Sequence, residues 1–232
     1  MDVQQEFWRR LENEWLPAYC NDPARCYAIE GFKADAKKVV DVDARDFLRA
    51  LDHNVVSVHS GGRFRMPQSK THEVIFWEHS TSISPRPITL WVEPIITIAA
   101  IARLHLDYGW PVDCLGMQSK DSAFDLMAFK PPDFENEHIA GEVKDSARQL
   151  DRLLEHMNQC CAEADSECSA PKIRKNAHRK IAGLKRCRAP IFWSLGPGGD
   201  SRVFNVSYGN DGSIALKRTA KEDLRFHSGK NA

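Results

Sequence analysis

The stretch from Glu93 to Cys161 constrains the fold more than any other part of the sequence. Glu93 to Tyr108 is strongly apolar and is predicted as a largely buried helix, with Gly109 as its C-terminal stop. Three strand-like segments and an amphipathic helix follow, at Val112–Gln118, Ala123–Lys130, His138–Lys144 and Ser146–Cys161. The order helix, three strands, helix predicts a mixed α/β domain with a central sheet flanked by helices.

The flanking sequence adds elements on both sides of this stretch. Residues 2–16 and 43–53 have helical spacing, with Pro17 expected to stop the first helix and Asp43 to cap the second. They define a helical N-terminal accessory region at 1–53, followed by the main domain at 54–232, and the two are expected to form one compact unit. The further predicted elements are β-rich segments at 54–59, 73–78 and 88–91, a basic helix at 171–188, a buried strand at 190–195 and a hairpin of 202–207 with 213–217.

Composition narrows the class of protein. The 232 residues suffice for a core that needs no disulfide or metal, and 42% hydrophobic with 28% charged residues is ordinary for a soluble protein. The longest apolar run, at 94–102, is too short to span a bilayer, and residues 1–10 do not resemble a signal peptide, so no membrane partner is expected. Seven cysteines, an odd number, predict reduced thiols and a cytoplasmic location.

The segment His138–Lys144 carries the side chains best suited to chemistry. In a strand, Glu142 and Lys144 project from the same face because they are two residues apart. Phosphodiester hydrolysis needs a metal that polarises the phosphate, a nucleophilic water, and positive charge where negative charge accumulates. Because Mg²⁺ usually takes one or two carboxylates with water and phosphate, a second acid is expected close by. Asp125, at the start of the preceding apolar strand, and Glu93, on the apolar helix, are the candidates.

This arrangement resembles the core of the PD-(D/E)XK (restriction-endonuclease-like) nuclease superfamily over roughly Glu93 to Met157. The family order is an acid on the first helix, Asp at the start of a strand, Glu-x-Lys ending the next strand, then an amphipathic helix. One detail differs, because Phe124 stands where a proline often precedes the motif Asp. The catalytic residues that the resemblance implies are Glu93, Asp125, Glu142, Lys144 and Gln149.

The resemblance also implies a fold, a cofactor and an activity. Asp125 and Glu142 would bind Mg²⁺, with Mn²⁺ as a substitute and the main-chain carbonyl of Val143 as a further ligand, and Lys144 would be the catalytic lysine. The expected fold is a restriction-endonuclease-like core with the helical N-terminal extension. The expected activity is that of a nuclease, most readily on DNA, in repair, restriction or phage defence, as a homodimer or with a partner subunit.

Two alternatives remain open at this point. The chain could be a catalytically inactive nucleic-acid-binding or assembly protein that keeps the nuclease fold for its surface. Glu142 and Lys144 could also lie at a solvent-exposed strand end, where their ion pair would contribute little to stability. The Glu-x-Lys pattern is short, and Asp35-Ala-Lys37 has the same form, although no apolar strand surrounds it.

Local basic charge predicts a nucleic-acid-binding surface. Residues 171–199 contain eight Lys or Arg and no Asp or Glu, whereas 133–167 contain ten acids. The basic helix could follow a phosphate backbone, and the loop around 62–65 could be a second contact. The alternatives are a solvated face that balances the acidic segment and a simple polar loop. The candidate residues are Lys172, Arg174, Lys175, Arg179, Lys180, Lys185, Arg63 and Arg65.

Weaker patterns suggest little further chemistry. A zinc site from Cys160, Cys161, Cys168 and His178 is possible, but the spacing matches no usual ligand pattern, and idle thiols are favoured. The sequence contains neither a Gly-x-Ser-x-Gly elbow nor a phosphate-binding Gly-x-x-x-x-Gly-Lys-Ser/Thr loop. The tryptophans in apolar contexts are predicted to be core residues and not base-stacking platforms, namely Trp77, Trp91, Trp110 and Trp193.

Overall fold

The architecture is a mixed arrangement of helices and sheets. The computed structural model describes residues 2–33, 39–59, 61–120, 123–161 and 172–227, without the side chains of residues 172 and 173. The α-helices are α1 (Val3–Arg10), α2 (Leu16–Cys20), α3 (Asp41–Asp52), α4 (Val92–Leu106), α5 (Ala147–Cys160) and α6 (Lys172–Cys187). A π-helical segment joins the first two, and 3₁₀ helices lie at Ile29–Gly31, Val112–Cys114, Pro197–Gly199 and Lys221–Leu224.

Three sheets are present among the described residues. The strands are β1 (Phe32–Lys33), β2 (Ser57–His59), β3 (Arg63–Arg65), β4 (Glu73–Val74), β5 (Phe76–Glu78), β6 (Ile88–Leu90), β7 (Leu115–Met117), β8 (Leu126–Phe129), β9 (Glu137–Val143), β10 (Ile191–Leu195), β11 (Ser201–Tyr208) and β12 (Ile214–Thr219). The six-stranded sheet has the order β12-β11-β10-β9-β8-β7, and two small sheets have the orders β1-β6-β5 and β2-β3-β4.

The six-stranded sheet is mixed. Its strands β9 and β10 are parallel to each other, and all other pairs of neighbouring strands in it are antiparallel. Its faces are covered by different helices. On β9, Ile139 and Val143 join a core cluster with α4, whereas Ala140 joins a second cluster with α5 and α6. The alternation follows from the two-residue period of a strand. The predicted central sheet flanked by helices is therefore confirmed at this level.

The two small sheets are built mainly from the segments predicted to be β-rich, but β1 comes from the region 1–53, which was predicted to be helical. The segment 73–78 divides into β4 and β5, which belong to different sheets. Between them Ile75 is fully buried and its carbonyl accepts a 2.7 Å hydrogen bond from the Trp91 amide. This bond fixes the start of α4 against the small sheets.

Two predictions for the N-terminal region are wrong. Pro17 does not stop the first helix, because the π-helical segment Leu11–Trp15 precedes it and the helical path continues through α2. The wider turn accommodates a residue that has no N–H to donate. Asp43 does not cap α3, which begins at Asp41 after Val40. It is fully buried and pairs with Arg103 at 3.0 Å, joining α3 to α4.

The structure also bears on the predictions about membrane spans and cysteines. Among the described residues, no helix combines the length and the apolar character needed to cross a bilayer. The described cysteines are free thiols, at Cys20, Cys26, Cys114, Cys160, Cys161 and Cys187. Cys168 and the competing Asp35-Ala-Lys37 motif lie outside the described residues.

Candidate active site

Asp125 is held rigidly at the entrance to β8. Its amide donates to the Gly141 carbonyl of β9, and its own carbonyl accepts from the Gln118 amide, each at 2.9 Å. Its side chain is fixed as well, because Oδ2 accepts a 2.8 Å hydrogen bond from the Val143 amide. The antiparallel β8–β9 register pairs Leu126 with Gly141. The next residues outward, Asp125 and Glu142, are therefore neighbours across the two strands.

Glu142, Lys144 and Glu93 meet at the end of β9. The Lys144 Nζ atom lies 2.7 Å from Glu142 Oε1 and 3.7 Å from Glu93 Oε1. Lys144 Nζ also donates to the Val143 carbonyl at 2.7 Å. The Glu142 side chain is 1% exposed and that of Lys144 15%, so this is not the solvated strand end that the sequence left open. Glu93 reaches the same point from the first turn of α4.

Lys180 supplies a second cation to Glu142. Its ammonium contacts Glu142 Oε2 and donates a hydrogen bond to the Ala123 carbonyl, two residues before Asp125. The Lys180 side chain is 6% exposed, so its predicted place on an outer nucleic-acid-binding face is wrong. The helix comes close because Gly183 faces Ala123 and Phe124, where a Cβ atom would lie 2.9 Å from Ala123 Cβ.

The signal for Lys180 was present in the helical periodicity. Residue 180 is three residues after Ala177 and four before Leu184, and both of these are fully buried. A residue at that spacing shares their face of the helix. The run of basic residues around Lys180 nevertheless predicts an exposed position, and lysines are rarely buried unless they are paired.

The electrostatics of the cluster favour a proton on Glu142 more than usual. Burial, followed by the charge of Asp125, raises the pKa of Glu142 to about 7, although Lys180 and Lys144 oppose the shift. Burial likewise raises the pKa of Glu93. Burial alone would lower the pKa of Lys144, but the carboxylates of Glu142, Asp125 and Glu93 outweigh it and raise that pKa, so Lys144 stays charged.

Glu73, which the sequence analysis did not single out, is a further buried acid near the cluster. Its side chain accepts a 2.7 Å hydrogen bond from Gln118 Nε2, and the residue is 3% exposed. Burial, with added repulsion from Asp125 and Glu93, raises its pKa to about 8. The local sequence around Glu73 does not predict a functional role for it. Its partner Gln118 lies 45 residues further along the chain, so only the folded structure brings the two together.

Gln149 does not contact the acidic cluster directly. It is exposed in the first turn of α5, and its Nε2 donates to Asp145 Oδ1 at 2.6 Å. The Asp145 backbone in turn hydrogen-bonds to Glu93. His138, at the far end of β9, is about 13 Å of strand away from Glu142 and stacks near Trp110 instead, with ring centroids 5.8 Å apart.

The donors at the site are suited to a hard cation. Asp125 and Glu142 offer carboxylate oxygens, the ligand type that Mg²⁺ takes from one or two residues while it keeps waters. Most of the oxygens that could bind the ion already have partners. Both Glu142 oxygens face ammonium groups, Asp125 Oδ2 accepts from the Val143 amide, and the Val143 carbonyl accepts from Lys144. Within the described ranges, no three or more His, Cys, Asp or Glu side chains are assembled as a ready metal site.

The predicted basic surface is only partly supported. Lys175 and Arg179 are exposed on α6, and Arg174 and Lys185 are half-buried, whereas the side chain of Lys172 lies outside the described atoms. The predicted loop around 62–65 is instead largely strand β3, in which Arg65 is exposed but Arg63 pairs with Asp22 at 3.1 Å.

Comparisons with known proteins add no assignment. No protein-family model, no curated protein and no solved structure matches the chain. What the site does must therefore be argued from its own geometry.

Proposed function

We propose that this protein is a divalent-metal-dependent nuclease that hydrolyses phosphodiester bonds at the cluster of Asp125, Glu142 and Lys144. One observation carries the proposal. The Lys144 ammonium lies 2.7 Å from Glu142 and 3.7 Å from Glu93, beside Asp125 on the neighbouring strand. Buried acids around a buried lysine are costly for folding, and such perturbed groups concentrate at functional sites.

The order of elements supports the same proposal. From α4 through β7, β8 and β9 to α5, α6 and β10, the chain runs helix, three antiparallel strands, two helices, and a strand parallel to β9. This order is compatible with the proposed restriction-endonuclease-like core. The residues implied by that resemblance, Asp125, Glu142, Lys144 and Glu93, lie at one end of this unit.

The proposed roles follow from the side-chain chemistry. Asp125 and Glu142 would hold Mg²⁺ or Mn²⁺, with the Val143 carbonyl as a further ligand once Lys144 moves off it. A bound divalent ion would polarise the phosphate and lower the pKa of water. Lys144 positions the attacking water and offsets the charge that develops on the phosphate oxygens. Glu93 holds Lys144, and Gln149 acts through Asp145.

The alternative function is nucleic-acid binding without cleavage. It is favoured by the pairing of both Glu142 oxygens with lysines, because two ammonium groups can stabilise this carboxylate without any metal. Under that alternative the exposed cations of α6 would carry the function, and the acidic cluster would serve only the fold.

A cleavage assay separates the two functions. The purified chain is incubated with single-stranded, duplex and branched DNA and with RNA, in Mg²⁺ and in chelator. We expect Mg²⁺-dependent cleavage of at least one substrate that is lost in Asp125→Asn and Lys144→Ala. Asp125→Asn is the better matched variant, because it keeps an oxygen that can accept from the Val143 amide. Binding without cleavage, unchanged in Glu142→Gln, would favour the alternative.

A further inference from the structure

The small sheet β1-β6-β5 is joined directly to α4, whose first turn carries Glu93 of the candidate active site. The register pairs Trp77 with Thr89 and Lys33 with Thr89, so these three side chains share one face. His79 joins them, since its Nε2 lies 2.9 Å from Thr89 Oγ1. The opposite face carries the buried Phe76, Ile88 and Leu90.

Trp77 is the unusual residue of this face. The sequence predicted it to be a core residue, but it is 50% exposed, whereas Trp110 and Trp193 are each 1% exposed as expected. Its ring packs edge-on against Trp91, with centroids 5.1 Å apart and planes at 78°. A T-shaped contact uses one edge and leaves ring area of Trp77 open to solvent.

The face is continuous with the acidic cluster through the chain itself. Trp91 directly precedes α4, and Glu93 is two residues further on, at most about 7 Å away along the backbone. Because Lys144 lies 3.7 Å from Glu93, a nucleic-acid strand of several nucleotides that is bound at Lys144 could extend past the start of α4 to the tryptophan pair.

We propose that Trp77, supported by Trp91, stacks on an unpaired base of the nucleic acid, so that the substrate is single-stranded at the point of entry. This inference rests on the proposed nuclease function and names its substrate class. Charge favours a nucleic acid over an apolar partner, because the exposed Lys33 shares the face of Trp77 and the other outward-facing residues, Trp77, His79, Thr89 and Trp91, include no acid. Bases stacked inside a duplex do not offer the open π-face that such a platform uses.

The test measures binding separately from cleavage. The full chain is titrated, in chelator, against a labelled single strand of DNA, the same sequence as RNA, and a blunt duplex. The variants are Trp77→Ala, Trp77→Phe and, as a control, Phe134→Ala, which removes a 36% exposed aromatic ring from the β8–β9 connection. Circular dichroism and a thermal melt check that each variant is folded.

Trp77→Ala is expected to weaken single-strand binding by about tenfold while duplex binding stays unchanged. Trp77→Phe keeps a ring and should retain most of the affinity, and Phe134→Ala should behave as wild type. Comparison of the single-stranded DNA with the RNA of the same sequence shows which type of nucleic acid binds more tightly. Equal affinity of Trp77→Ala and wild type for single strands, or an equal loss for single strands and duplex, would overturn the inference. Loss of self-association in Trp77→Ala without a change in single-strand affinity would assign the face to a second copy and overturn it also.

A parallel Mg²⁺ cleavage arm separates failure of this inference from failure of the proposed function. If wild type cuts but Trp77→Ala binds and cuts single strands normally, the base-stacking inference fails alone. If wild type cuts nothing, yet single-strand binding depends on Trp77, the proposed function fails and the binding surface stands.

Discussion

The Lys180 ammonium contacts the Oε2 atom of Glu142 in the interior, where the two side chains are 6% and 1% exposed. Lys144 holds the other carboxylate oxygen at 2.7 Å. Glu142 is thus clamped between a lysine from the end of β9 and a lysine from α6. Under the proposed function, a divalent ion that binds Glu142 would have to compete with both ammonium groups, so the lysines would affect the metal occupancy of the site.

Removing Lys180 should destabilise the protein in a pH-dependent way. Lys180→Met leaves Glu142 with one cation, which raises the pKa of Glu142 further above its ordinary value. The folded form then prefers the protonated acid, so stability is kept at low pH and lost as the pH rises through about 7 and beyond. We expect a loss of roughly 3 kcal/mol at pH 8 and a smaller loss at pH 5, measured by urea unfolding. A double variant with Glu142→Gln should recover much of it. An equal loss at both pH values would contradict this account.

Glu73 should make the protein less stable at alkaline pH. Its folded pKa of about 8 lies above the ordinary value of 4.5, so its contribution is full below pH 4.5 and is lost as the pH rises through 8. Glu73→Gln keeps a side-chain oxygen that can accept from Gln118 and removes the titration. We expect the variant to exceed wild type by roughly 4 kcal/mol at pH 8.5 and to match it near pH 4.5. Thermal melts across this range test the sign, and a variant less stable than wild type at pH 8.5 would refute it.

The two Asp125 variants should differ in stability though not in activity. Asp125→Ala removes the acceptor of the Val143 amide, whereas Asp125→Asn keeps an oxygen at that position. An unsatisfied buried N–H costs about 1–3 kcal/mol, so the alanine variant should unfold at lower denaturant than the asparagine variant. Both should lose cleavage. Equal denaturation midpoints would show that the hydrogen bond contributes nothing to the fold.

The exposed cations of α6 should govern the salt dependence of binding. Lys175 and Arg179 are exposed and four residues apart, so they share one side of the helix. If both contact phosphates, replacing both by Gln should reduce the slope of log affinity against log salt by about 1.8 for duplex or 1.4 for single strands. Lys217→Gln, an exposed lysine on β12, is the control and should leave the slope unchanged. A slope that is the same in all three proteins would place the phosphate contacts elsewhere.

Local patterns predicted much of the fold and part of the site. The apolar run before Gly109 and the alternation around Glu142 gave α4 and β9 to within two residues, because short-range periodicity decides both. What the sequence did not predict depends on long-range packing. Lys180 contacts Glu142 from 38 positions further along the chain, and Trp77 is exposed although it follows the apolar residues Ile75 and Phe76. The prediction that Pro17 ends the first helix failed for a local reason, because no residue pattern marks the π-helical segment that precedes it.

The magnesium dependence of cleavage tests the central claim most directly. Initial rates on the best-cut substrate are measured against Mg²⁺ concentration for wild type, Asp125→Asn, Lys144→Met and Lys217→Gln. We expect saturable Mg²⁺ activation in wild type and in the Lys217 variant. Asp125→Asn and Lys144→Met should each lose about a hundredfold or more of the rate, even at the Mg²⁺ concentration that saturates wild type. Cleavage that persists in chelator, or that is unchanged in both Asp125→Asn and Lys144→Met, would contradict the assignment of this site.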